Sequence, residues 1–192
     1  MVLIYIDQAE QEIKKASFEA ISYGAALAKQ MGTNAEAIIL GTVKDDLAQL
    51  GKYGATKVHQ VANDALNHFD ARVNATVAAE AAKSLGADVI IFAHNTNGKA
   101  IAPAVAVKLG AGIVTGASAL PKTDAGFVVT KTVFSGKAFA SIKIDTPIKV
   151  VSINQNSFGI QTNEGTAELN QLNTTVPSST IKITAVDKVQ GE

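Results

Sequence analysis

The stretch 88–118, DVIIFAHNTNGKAIAPAVAVKLGAGIVTGAS, reads as a buried strand, a polar loop, a helix and a second buried strand. Both apolar runs are short and bounded by turn residues, as strands buried on both faces are. Between them, KAIAPAVAVKLG holds small apolar residues and closes on Gly110, a residue that readily ends a helix. Pro103 fits the first turn of that helix if it begins near Ile101. A strand, helix and strand in this order make a parallel pair through a right-handed crossover.

The same grammar extends toward the N-terminus. Val2 to Ile6 is an apolar run ending at Asp7. From Ser17 to Met31, Phe18, Ile21, Ala25, Leu27 and Ala28 recur at helical spacing, with Ser17 as N-cap and Gly32 as stop. AEAIILG gives a second strand, DDLAQLGKYG a short helix ending at Gly54, KVHQVA a third strand, and ARVNATVAAEAAKSLG a helix closed by Gly86. With the fourth and fifth strands of the opening stretch, the reading is an α/β, three-layer fold. Its mainly parallel sheet is flanked by helices on both faces.

After Ser118 the pattern changes. GFVVTKTVF, KAFASIKI and IKVVSI alternate or run apolar with no helix between them, and Ser135-Gly136 sits where a hairpin turn belongs. Added antiparallel strands are expected there. Residues 154–179 turn polar and small, as a long surface excursion would, before TIKITAVDKV makes a last strand. The chain is read as one domain over 1–192: a parallel part over 1–118, then antiparallel strands and a long surface loop over 119–192.

Composition narrows the chemistry. Lys plus Arg and Asp plus Glu both number 17, and Arg72 is the only arginine, so a nucleic-acid partner is not expected. There is no cysteine, and the 3 histidines lack metal-ligand spacing, so no metal site is expected. No apolar run approaches the ~18 residues of a membrane span, and a strand begins at once, so a cytosolic protein or a mature mitochondrial matrix protein is expected.

In an open α/β sheet, ligands sit beyond the carboxyl ends of the strands, which is where AHNTNGK falls. His94, Asn95, Thr96, Asn97, Gly98 and Lys99 form the candidate ligand or domain-docking loop. The asparagines and threonine can donate and accept hydrogen bonds, Gly98 permits close backbone approach, and Lys99 adds charge near a helix N-terminus. Spacing alone favours a hydrated connection. Asp7 reads as a solvated turn residue, while His59 in a strand and His68 in a loop read as ordinary polar groups. Neither GxGxxG after the first strand nor GxxxxGK[ST] occurs, and no nucleophile is placed by sequence to meet His94.

VLIYID, KKASFEAISYGAALA, LGKYGATKVHQV, the opening stretch and FSGKAFASI, in this order, resemble the N-terminal part of the electron transfer flavoprotein alpha subunit. The resemblance runs from residue 2 to the last strand, and its most specific pieces are KYGA.KV, GK.IAP..A..LGAG.VT and SGKA.A. It implies an adenine nucleotide alpha hydrolase-like fold, with strand order 3-2-1-4-5 in the parallel part. It also implies a non-catalytic scaffold pairing with a beta subunit, in an assembly whose FAD takes electrons from dehydrogenases and passes them to a quinone oxidoreductase. The FAD of that assembly lies mainly in a second, glycine-rich alpha domain, so no FAD residue is assigned here and none is expected on this chain alone. AMP in that family sits on the beta subunit and is not expected here. The family loop carries an acidic residue after its Gly-Arg or Gly-Lys pair where this chain has Ala100 after Gly98-Lys99, and a small residue where it has His94. The covered surfaces of such a scaffold imply an exposed apolar patch and self-association of the isolated domain. The competing reading is a stand-alone adenine-nucleotide-binding domain of universal-stress-protein type, with the nucleotide over 94–99.

Overall fold

The computed structural model describes residues 1–185. The parallel sheet begins with β1 (Val2–Ile6), every residue of which is buried, as a central strand covered on both faces must be. A two-strand ribbon follows, β2 (Gln8–Ala9) and β3 (Glu12–Ile13), turning through Glu10 and Gln11 at φ 55° and 66°. Helix α1 (Lys15–Met31) leads to β4 (Ala35–Leu40), a 3-10 helix (Leu47–Tyr53) and β5 (Lys57–Val61). Helix α2 (Ala71–Ser84), β6 (Val89–Ala93), α3 (Thr96–Leu109) and β7 (Gly112–Ala117) complete the alternation.

Odd and even residues of β1 feed opposite faces of the sheet. Val2, Ile4 and Ile6 pack with Ile21, Tyr23 and Leu27 of α1, while Leu3 and Tyr5 pack with α2 and α3 through Val73, Val77, Ile101 and Val105. The three-layer architecture read from the sequence is therefore the observed one, with α1 on one face and α2 and α3 on the other.

The remaining strands are β8 (Phe127–Val133), β9 (Ala138–Ile144), β10 (Lys149–Ile153) and β11 (Glu168–Gln171). The sheet runs β11-β5-β4-β1-β6-β10-β7-β8-β9. The expected antiparallel addition holds for β8 and β9, which pair along their whole length. It fails for β10, which runs parallel and inserts between β6 and β7. The order expected from the resemblance is interrupted there, because KVVSI is buried from Val150 to Ile153 and is satisfied only where both edges and both faces are covered.

Four further readings are corrected. Ser17 does not cap α1: the helix starts at Lys15, and Ser17 is buried, accepting from the Asp7 N–H at 2.9 Å and donating to the Asp7 carbonyl at 3.1 Å. Pro103 lies well inside α3, because that helix begins at Thr96 rather than near Ile101. The polar excursion contains β11, a parallel edge strand on β5. The last strand expected over 180–189 is irregular over 180–185, and the rest of it lies outside the described residues.

Candidate functional site

Strands β4 and β5 lie on one side of β1 and β6 on the other, so the crossovers diverge between β1 and β6, the place where such sheets hold ligands. At that place Asp7 is buried, with 5% of its surface exposed. Its carboxylate accepts from Asn95 Nδ2 at 2.7 Å and Asn97 Nδ2 at 2.8 Å, and lies 3.1 Å from Lys14 Nζ. The reading of Asp7 as a solvated turn residue is overturned: it is the hub onto which the end of β6 and the start of α3 are tied.

The six residues of the candidate loop divide by role. The backbone N–H of His94 donates to the Ile153 carbonyl at 2.8 Å, and its Nδ1 lies 2.8 Å from Ser152 Oγ, which itself accepts from the Gly116 N–H at 3.2 Å. Ser152 Oγ can donate to Nδ1 or accept from it, according to the imidazole tautomer. Burial, with Lys99 and Lys131 nearby, lowers the His94 pKa and favours the neutral imidazole. Ser152 is wholly buried, so the pair offers no accessible nucleophile.

Asn95 is the N-cap of α3, its Oδ1 accepting from the Gly98 N–H at 2.8 Å. A Cβ on Gly98 would stand 1.9 Å from the Ala93 carbonyl oxygen, so the close approach that glycine allows here is to the chain's own strand end. Thr96 and Lys99 are exposed, and Lys99 lies within α3 rather than ahead of it. Asn97 is spent on Asp7.

Two clefts flank this clasp, and Lys14 lines both. One, of about 610 Å³, lies among Lys15, Glu19, Asn95, Thr96, Asn156 and Ile160. The other, of about 850 Å³, lies among Tyr5, Asp7, Leu40, Leu66, Phe69 and Asn74. Both volumes fall in the range that holds small molecules.

Sequence reasoning did not single out Glu19, yet its buried carboxylate accepts backbone N–H bonds from Asn156 at 2.8 Å and from Phe158 and Gly159 at 2.9 Å. Burial pushes its pKa up, but the N–H bonds of Gly159, Phe158 and Asn156 outweigh that and hold it below the usual carboxylate range. A glutamate on the buried face of α1 was the available signal. Its partners lie in irregular chain and carry no spacing rule. His59, read as an ordinary strand residue, is buried in β5 with Nε2 2.6 Å from Glu36 Oε2 and Nδ1 2.8 Å from Asn170 Nδ2 on β11. Among the described residues no cluster of His, Asp or Glu is disposed to hold a metal ion, and no helix is long and apolar enough to cross a membrane.

The family model of the electron transfer flavoprotein domain matches residues 2–177. The chain belongs to the electron transfer flavoprotein domain family. Relatives include the electron transfer flavoprotein subunit alpha of Syntrophomonas wolfei, 28% identical over 73% of this chain and 44% of that protein. The electron transfer flavoprotein subunit alpha of Bacillus subtilis is 27% identical over 81% of this chain and 48% of that protein. The lactate dehydrogenase (NAD(+),ferredoxin) subunit LctC of Acetobacterium woodii is 27% identical over 73% of this chain and 34% of its own. The chain thus matches less than half the length of these electron transfer flavoprotein relatives.

Proposed function

We propose that this chain is a non-catalytic platform of an electron transfer flavoprotein alpha-type subunit. It pairs with a beta-type subunit and supports a flavin domain that carries FAD, takes electrons from dehydrogenases and delivers them to a quinone oxidoreductase in the bacterial cytoplasm or mitochondrial matrix. The observation that carries this reading is the clasp on Asp7. A buried carboxylate paired with Lys14 ties down the Asn95 and Asn97 side chains at the start of α3, so the chain's own groups take up the place where a cofactor phosphate would sit.

Two features support the partner side of the reading. Phe134 and Phe139 on the β8–β9 hairpin are 80% and 71% exposed, and Ile142 follows on the same strand. Aromatic side chains so placed are the anchors that protein interfaces use. In the candidate loop His94 to Lys99, the outward Thr96 and Lys99 are held on a rigid base by Asn95, Asn97 and Gly98, which suits docking of a neighbouring domain.

The nucleotide-binding alternative over 94–99 has less to support it, since both asparagine amides there donate to Asp7 and Gly98 packs on Ala93. The test is a titration of the purified chain with FAD. The platform reading expects a colourless protein with no bound flavin; a stoichiometric yellow complex retained through gel filtration overturns it.

A further inference from the structure

Strand β9 ends the sheet and pairs only with β8 among the described residues, so its outer row of N–H and C=O groups has no strand beside it. Bulges, prolines and charged side chains are devices that keep such an edge from adding a further strand. Here the pairing with β8 runs unbroken from Ala138 to Ile144, the strand holds no proline, and Lys143 is its one charge. Phe139, Ser141, Ile142 and Lys143 are all exposed.

The sequence of this edge is complementary to itself. Ile144 packs in the core cluster that holds α1, so by alternation the even residues of β9 face α1, and Phe139, Ser141 and Lys143 face the other side. Pairing β9 antiparallel with β9 of a second copy, on a twofold axis at Ser141, sets Phe139 opposite Lys143, Ala140 opposite Ile142, and Lys137 opposite Asp145. Each pair occurs twice, so a ring meets an ammonium and opposite charges meet at both ends. Moving the axis to Ala140 would oppose Lys137 to Lys143, and moving it to Ile142 would oppose Phe139 to Asp145. Charge therefore selects the Ser141 register. The same register brings the β8–β9 turn of one copy, where Phe134 is 80% exposed, to the Asp145 end of the other copy's β9. A cleft of about 480 Å³ opens at that end among Ile113, Ile142, Ile144 and Pro147.

We propose that the β9 edge is a self-pairing surface, through which two copies of this chain join their sheets antiparallel on a twofold axis at Ser141. A beta-type subunit seated on the same hairpin would displace the second copy, so the two partners are alternatives at one edge. The pairing itself requires neither that subunit nor flavin.

The test uses the purified whole chain alone. Sedimentation should show a monomer–dimer equilibrium, and Ser141→Lys, at an exposed position where folding is not at stake, should weaken it by about tenfold or more by setting two ammonium groups against each other on the axis. Lys137→Glu should weaken it as well, and adding Asp145→Lys should restore it, since those positions face each other in this register alone. The chain has no cysteine, so Ser141→Cys supplies one thiol per copy. Opposed residues of an antiparallel pair lie about 4.5–5.5 Å apart, within reach of a disulfide, so mild oxidation should yield a covalent dimer. Lys137→Cys, about 27 Å from its counterpart in this register, should yield none. A chain that stays monomeric up to about 1 mM overturns the proposal, as does a dimer that cross-links through residue 137 or persists unchanged in Ser141→Lys.

Discussion

Asp7 shows how one side chain can decide what a sheet edge is for. Its carboxylate takes two asparagine amides and a lysine, and its own backbone is gripped by Ser17. Asp7→Ala should cost about 2–3 kcal/mol in urea denaturation, because two amide donors and the Lys14 ammonium lose their acceptor together. Gly98→Ala should cost about 3 kcal/mol by the same measurement, since the new methyl must push back the Ala93 carbonyl. Phe134 works in the opposite direction. It and Ser135 hold the central positions of the β8–β9 turn at φ 51° and 55°, a region that suits glycine or asparagine. Phe134→Gly should therefore raise stability by about 1 kcal/mol while removing an exposed aromatic, and a stabilised variant with weakened partner binding would assign that phenyl ring to an interface.

At the level of elements, the parallel half was legible because its strands are apolar runs separated by helices that end on glycine. Gly32 and Gly110 stop α1 and α3 at φ 66° and 60° as their sequence positions implied. The start of α3 was not legible: HNTNG has the composition of a loop, and only the Asn95 cap, invisible without geometry, turns Thr96 onward into helix. The place of β10 was hidden for a different reason. An apolar run specifies burial but not which neighbours bury it, so the insertion between β6 and β7 has no local signature. Strand β11 reads ELNQ, is mostly exposed, and carries no apolar alternation. Residues 154–161 are pinned by Glu19, by Ser22 through Gln161, and by Tyr23 edge-on to Phe158 at 5.5 Å. Because the Glu19 pKa is lowered by folding, its contribution is present above the unfolded value of about 4.3 and is lost as pH falls through the lower, folded value. Glu19→Gln should be less stable than the parent at neutral pH, and acid titration of both should show that gap closing below about pH 4.

For the whole molecule, the sheet has one covered face on each side but two open ends. Among the described residues, β9 at one end pairs only with β8 and carries Phe139 and Ile142 outward; at the other, β11 exposes Leu169. The exposed aromatics beside the β9 edge are the surface that the proposed partner would cover. Sequence pattern foresaw the layers and the family, while the closed state of the switch point emerged only from Asp7 and its asparagines. The platform account stands or falls on assembly. The most direct measurement is sedimentation of the chain mixed with the beta-type electron transfer flavoprotein subunit of its own source, without added flavin. A one-to-one complex, weakened when Phe134 and Phe139 are both changed to serine, is the expected result; two components that sediment independently at every ratio would contradict it.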